Sequence, residues 1–366
     1  MSNKQHKINP ILNNNLPLFG ILCFCGICYL GFILNYWFLL FLLLLPLAFM
    51  KHKPNWKQWI IIASFVALFS LLIVFASDFS LIELINKRPT FIRNAILNFF
   101  DRHYNDEMSS FIKLILFNIK SNDSWVFYKQ TIDLGIVWLI CISGFHVSLI
   151  SRIIKWIFKK RARIGKYVNI GIIGFYSLLL NFSYASLRVL LKLCFGWVFY
   201  KCEIKKLNKL GLIGLILCIL NPKCFTNYGF LLSFLVCSIA YFVNSLELNN
   251  KIINSLIINI FAFVVTIPFL VEMNHKISLL TFLNAFIFTY FSAFIFLYFL
   301  IFCWLPFMSI IHYGIMVFAY VLVGNMSFSN IFIQSDSWPI WGIFIYYGDI
   351  IGLEKALYLI VYNNKI

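Results

Sequence analysis

Charge is the first thing this chain is short of. Only 12% of its 366 residues are Asp, Glu, Lys or Arg, where a soluble domain carries about a quarter. Acids are scarcest, at 13 in all. Metal-binding patterns are missing too. The six histidines stand singly, with no HxH or HExxH spacing, and no pair of CxxC units occurs, which speaks against a zinc hydrolase or zinc ribbon. The one Gly-Lys pair, Gly165-Lys166, is followed by Tyr167 and has Lys160 where a P-loop needs its first glycine. The chain is therefore expected not to hydrolyse ATP by itself. The alternation of an outer-membrane barrel is absent as well. No catalytic residue, metal or cofactor is expected, and no enzyme.

What is present is apolar. Hydrophobic residues make up 62% of the chain, and mean hydropathy is +0.88. Apolar runs cover most of the sequence, and about 20 such residues span a bilayer as a helix. Backbone groups in lipid must be satisfied within the chain, so the spans are expected to be helices. The reading is an all-α, polytopic integral membrane helix bundle of about eleven or twelve transmembrane helices. Cys23, Cys25, Cys28, Cys141, Cys194, Cys218, Cys237 and Cys303 fall inside these runs, where a thiol behaves as a small buried hydrophobe.

In chain order, Leu16 to Met50 reads as two spans and Trp59 to Ser77 as a third. Asp78 to Thr131 does not span. Within it Phe91, Ile92, Ala95, Ile96, Phe99 and Phe100 share one helical face and Arg93, Asn94, Asn98 and Arg102 the other, as in a helix lying at an interface or packed on the bundle. Further spans are expected at Asp133–Ile154, Asn169–Phe182, Ser186–Tyr200, Leu210–Leu220, Tyr228–Val243, Ile252–Val271, Leu279–Phe307, Ile310–Phe332 and Trp338–Val361. Pro268 is expected to kink or end its helix. Three regions result: 1–80, N-terminal transmembrane segments; 81–131, an external amphipathic connector; and 132–366, a transmembrane core.

Thirty basic residues give a net charge of +17. Positive loops stay on the cytoplasmic side, and the same charge attracts a polyanion. Two basic loops stand out: Lys159, Lys160, Arg161, Arg163 and Lys166; and Lys201, Lys205, Lys206 and Lys209. The first follows the apolar stretch that carries Ser143, Gly144 and His146 at its centre. An ionisable group at that depth costs a few kcal/mol and marks either function or polar glue between helices. Ser143 and His146 share a face, but no carboxylate orients the pair for nucleophilic chemistry. Arg188 and Lys192, four apart, present two positive charges on one face, to phosphates in a pore or to the interface by snorkelling. Gly229 and Ser233, also four apart, read as packing residues.

These residues together resemble a family. Gly135-Ile136, Leu139 and Ser143-Gly144-Phe145-His146-Val147 are similar to the SGLH-type signature of the ComEC-type competence proteins. Arg188 stands where that family has an arginine after a small-residue helix. Asn221-Pro222 and Gly229-Phe230-Leu231-Leu232-Ser233-Phe234 resemble its P…GFQLSF element, and Pro268 with Ser278 to Asn284 its late proline and small-polar element. The likeness covers roughly residues 90 to 300. Trp138 replaces a family histidine and Leu231 the glutamine. The stretch from Asp78 to Thr131 is too short for the OB-fold that many members carry, and the ligands of their metallo-β-lactamase-like domain are missing, so this looks like a shortened membrane core.

The resemblance implies a multi-pass protein of the bacterial cytoplasmic membrane that takes up single-stranded DNA during transformation. It would be a passive channel in the lipid bilayer, served by an external DNA receptor and a cytoplasmic ATP-driven motor. Ser143, Gly144, His146, Arg188, Lys192, Gly229, Ser233 and Asn284 would line the pore or touch DNA, with the basic loops as docking or exit surfaces. The alternatives are a small-anion transporter, an intramembrane enzyme built on Ser143 and His146, and a shortened relic with a structural membrane role.

Overall fold

Asn105 shows how one helix of this fold is started. Its backbone is extended (φ −67°, ψ 161°), and its side-chain oxygen accepts the Met108 N–H at 3.3 Å, satisfying a donor that a helix start leaves orphaned. Asp106 and Glu107 follow in the first turn, where negative charge suits the helix dipole. Asn118 ends the helix in the left-handed region (φ 56°), its N–H reaching the Leu114 carbonyl at 3.1 Å.

A computed structural model of the chain describes residues 91–136, 144–198, 206–245, 250–278, 280–328 and 331–334, with Ile60, Ser64, Ala67 and Leu68 as isolated helical positions. Those four positions apart, the spans expected between Leu16 and Ser77 lie outside the described residues, as does the one expected at Trp338–Val361. The helices are α1 (Phe91–His103), α2 (Asp106–Phe117), α3 (Trp125–Asp133), α4 (Gly144–Ile157), α5 (Ala162–Leu179), α6 (Tyr184–Val198), α7 (Lys206–Leu220), α8 (Tyr228–Ser245), α9 (Lys251–Asn274), α10 (Thr281–Phe302) and α11 (Ser309–Phe328). Single 3₁₀ turns occupy Lys159–Arg161, Pro222–Thr226 and Pro306–Met308. One departure from an all-helical chain is a short antiparallel ribbon. Its strands are β1 (Lys276–Ser278) and β2 (Phe332–Gln334), and Ile277 faces Ile333; these β-branched residues suit a pleated pair.

The described chain forms two compact units, one of Ile154–Phe234 and one of Thr90–Ile153 with Leu235 onward. They are called the central and flanking units from their place in the sequence. In the central unit α5 packs on α6 and α6 on α7. In the flanking unit α2 packs on α1, α10 and α11, α3 packs on α11, and α9 packs on α10.

Nine of the twelve residues of α2 are buried, so the part of the chain read as a connector holds core. Phe111 lies at its middle, with ring centroids 5.3 Å from Phe127, 5.6 Å from Phe299 and 5.9 Å from Tyr320. On α1 only Phe100 is buried, while Phe91 and Ile92 are exposed. Tyr104, after α1, donates its hydroxyl to the Cys303 carbonyl at 2.7 Å. Burial, then the nearby Cys303 and Tyr298, push its phenol up to about 12, so it stays protonated as a donor at neutral pH.

Among the described residues, two helical segments, Thr281–Phe302 and Pro306–Ser327, are long and apolar enough to cross a membrane. The span expected at Asp133–Ile154 is described only in part: α3 ends at Asp133, Gly135 turns the chain with φ +70°, α4 covers Gly144–Ile157, and 137–143 lie outside the described residues. As described, helices α5, α6 and α7 have 18, 15 and 15 residues, and the residues between α6 and α7 lie outside the described ones. Pro268 does not end its helix, since α9 continues to Asn274.

Candidate functional site

The central unit carries a polar cluster around Arg188. The chain leaves α5 through two left-handed residues, Asn181 and Phe182, both at φ 49°. Ser183 then receives the Ser186 hydroxyl on its carbonyl at 2.8 Å, closing the first turn of α6. Tyr184 and Arg188 follow four apart and share a face. Arg188 is 9% exposed, and its guanidinium donates through Nη1 to the backbone carbonyl of Ser233 in α8. The Ser233 hydroxyl is buried and has no hydrogen-bond partner among the described residues. A buried cation thus bonds the backbone of a residue whose own hydroxyl has no partner among the described residues, and a hydroxyl and a guanidinium can both donate to an anion.

Asn221 supports this cluster. Its side-chain oxygen accepts the Lys223 N–H at 3.0 Å, starting the turn Pro222–Thr226, and its amide donates to the Tyr184 hydroxyl at 2.6 Å. The Tyr184 ring meets Phe230 edge-on at 5.6 Å. Asn227 caps α8 by accepting the Phe230 N–H at 3.2 Å. A Cβ on Gly229 would come 3.0 Å from that capping oxygen. Gly229 is exposed and keeps the cap clear.

Lys192, one turn after Arg188, is exposed, so the pair splits between interior and surface. Lys159, Lys160, Arg161, Arg163 and Lys166 are all exposed, as is Lys206, while Lys209 is half-buried. Trp156, Tyr167 and Trp197 are also exposed in this unit, with Tyr167 and Trp197 in ring contact at 6.0 Å.

The flanking unit holds the other expected residues. His146 is 1% exposed; its ring lies 4.6 Å from that of Phe296, and the Ser292 backbone is a hydrogen-bond partner. Gly144 is buried, and its carbonyl accepts the Ser148 hydroxyl at 2.6 Å. The Asn284 amide and the Thr281 hydroxyl both reach the Leu134 carbonyl, each at 3.4 Å. That carbonyl lies where α3 has ended, so α10 supplies donors that the helix end lacks. Ser143, Lys201 and Lys205 lie outside the described residues.

Sequence reasoning missed several functional or framework groups. Tyr184 was detectable as the position four before Arg188. Asn221 was placed in the P…GFQLSF-like element, with no role for its side chain. His312, wholly buried, bonds Tyr298 Oη at 2.8 Å and the Phe302 carbonyl at 3.1 Å, and no local pattern marks it. Among the described residues no three of His, Cys, Asp and Glu are grouped as metal ligands would be.

Comparison with known proteins adds a family. The family described as "Competence protein" matches residues 116–354. The chain is 25% identical over 314 residues to the uncharacterized protein MG316 of Mycoplasma genitalium, covering 85% of this chain and 82% of that one. It is 26% identical over 255 residues to the uncharacterized MG316 homolog of Mycoplasma pneumoniae, covering 63% and 67%. No solved structure matches.

Proposed function

Because the chain belongs to the competence protein family, we propose that it is a multi-pass protein of the bacterial cytoplasmic membrane that passes single-stranded DNA during transformation. The observation that carries the reading is the Arg188 guanidinium held on the backbone carbonyl of Ser233, whose hydroxyl has no partner among the described residues. A strand needs its phosphates neutralised by contacts that tolerate any base sequence. Arginine is the cation best suited to paired phosphate oxygens. Asn221 and Tyr184 hold the cluster's frame.

The membrane reading is supported by two apolar helices with exposed outer stripes. On α10, Ile287, Tyr290, Phe294 and Ile301 are exposed, while Asn284, Phe288, Ser292 and Phe299 on the other side are buried. In lipid that stripe is at home. Trp156, Tyr167 and Trp197 near the basic turn Lys159–Arg161 suit the headgroup layer, with the basic turn on the cytoplasmic side.

Moving a phosphate into a negative-inside cell costs about 2.3 kcal/mol per charge per 100 mV. A passive route cannot draw many phosphates against that. A cytoplasmic ATP-driven motor and an external DNA receptor therefore belong to the proposal, with the basic turn as a docking surface. The chain itself is proposed to perform no covalent chemistry.

The test is binding of a fluorescent single-stranded oligonucleotide to the purified protein in lipid nanodiscs. The expected result is salt-sensitive binding that Arg188→Ala weakens about tenfold, the loss of one charge-assisted hydrogen bond. Binding of phosphate or sulfate with no binding of the oligonucleotide would replace this reading with small-anion transport. Equal binding by Arg188→Ala and the natural chain would remove the site.

A further inference from the structure

Cys218 and Cys224 stand on either side of the Asn221-Pro222 turn, and their sulfurs lie 3.4 Å apart. Both residues are wholly buried in the central unit. Cys218 sits near the end of α7, and Cys224 on the 3₁₀ turn Pro222–Thr226. The turn is held tightly. Asn221 N–H donates to the Leu217 carbonyl at 2.9 Å, and Cys224 N–H to the Asn221 carbonyl at 3.1 Å. Asn221 in turn accepts Lys223 N–H and donates to Tyr184. The two thiols are thus brought face to face by the backbone that also frames the Arg188 cluster.

We propose that Cys218 and Cys224 form a redox-modification site, a dithiol that closes to a disulfide by exchange with a low-molecular-weight disulfide. A disulfide bond is about 2.05 Å long, so the sulfurs need to approach by about 1.4 Å, within reach of side-chain rotation. Zinc would ask for about four such ligands, and this pair brings two, so its chemistry is with itself.

The exchange balances as follows. The Cys224 thiolate attacks one sulfur of the external disulfide, whose S–S bond breaks and releases one thiolate. Cys218 gives up its proton and attacks the Cys224 sulfur of the mixed disulfide, expelling the second thiolate. The two protons from the protein thiols go to the two leaving thiolates. The protein loses two electrons, and the reagent is reduced to two thiols. Cys224 reacts first because its turn is a single one, flanked by the exposed Lys223 and Thr226, and a short surface turn opens more readily than a helix. Closure ties the end of α7 to the turn and locks Asn221 against Tyr184. The site stands independently of whether a strand passes.

Trypsin makes the test specific, because Lys223 lies between the two cysteines. Cleavage after Lys209, Lys223 and Lys251 places Cys218 on peptide 210–223 and Cys224 on peptide 224–251. The full chain in membranes is treated with oxidised glutathione, its remaining thiols are alkylated, and the digest is analysed by mass spectrometry. The expected product is the two peptides joined, two hydrogens lighter than their sum, and separated again by dithiothreitol. The link is lost in Cys218→Ser and in Cys224→Ser and kept in Cys237→Ser, which controls for the second cysteine on the same peptide. Separate alkylated or glutathionylated peptides from the oxidised natural chain would overturn the proposal. So would a link that survives Cys224→Ser and vanishes in Cys237→Ser.

Discussion

The Arg188 guanidinium of α6 donates to the backbone carbonyl of Ser233, in the interior of α8, while the hydroxyl of that same serine bonds to no described group. The carbonyl anchors the cation, and the hydroxyl has no hydrogen-bond partner among the described residues.

Ser233→Ala tests this hydroxyl. A buried hydroxyl without a partner costs about 1–3 kcal/mol, so removing it leaves the protein as stable or more so. Thermal unfolding in detergent is expected to show an equal or higher Tm, while oligonucleotide binding weakens severalfold. A lowered Tm would mean that the hydroxyl has a structural partner.

Buried His312 and half-buried Tyr298 form a second pair. The Phe302 carbonyl only accepts, so the Nε2 facing it carries the hydrogen and Nδ1 accepts from Tyr298 Oη. Tyr298→Phe leaves Nδ1 without that donor and is expected to lower stability by about 1–3 kcal/mol. His312→Phe in the same background is expected to cost less than the two single losses added, because the two groups share one bond. Strict additivity in the double-mutant cycle would argue against the pair.

Gly135 is required twice over. Its φ of +70° disfavours any side chain, and an added Cβ would lie 2.3 Å from Thr281 Oγ1. Left-handed backbone alone costs about 1–2 kcal/mol, so Gly135→Ala is expected to lower Tm markedly. Adding Thr281→Ala removes the clashing atoms and is expected to recover part of the loss. No recovery would show that backbone conformation alone sets the requirement.

The α1–α2 pair carries a pH dependence through Asp101. Partial burial raises its carboxyl, but hydrogen bonds from Lys113 and Ser109 and the charge of Lys113 outweigh that and leave it below the ordinary value. A depressed folded value means that the contribution is present above the unfolded value of about 3.9 and is lost as pH falls below it. Half-exposure of Asp101 keeps the contribution small. Asp101→Asn is expected to lower Tm slightly at pH 6 to 7 and not at pH 3, measured by a pH series on both proteins. A gap between the two proteins that persists at pH 3 would count against the ion pair.

Much of the helical architecture was legible in the chain. Helices α8, α10 and α11 start within about two residues of the apolar runs expected from Tyr228, Leu279 and Ile310, because a helix of this length follows local apolar composition. The partners were not legible. Arg188 and Lys192 look equivalent by spacing, yet one is buried and the other exposed, because exposure depends on which helix packs against that face. The left-handed turn at Gly135 was hidden for a related reason. Hydropathy averages over a window and does not register one left-handed residue.

The order of residues by itself determined that this chain is apolar and helical, where its basic turns fall and which family pattern it carries. These are properties of local composition and spacing. Tertiary structure alone decided that Arg188 meets Ser233, that α10 completes the end of α3 at Leu134, and that Cys218 faces Cys224. Each depends on where a fold returns a segment to its neighbours. A buried hydrogen bond or a sulfur contact forms only when two distant or oppositely turned pieces of backbone are held within a few ångströms.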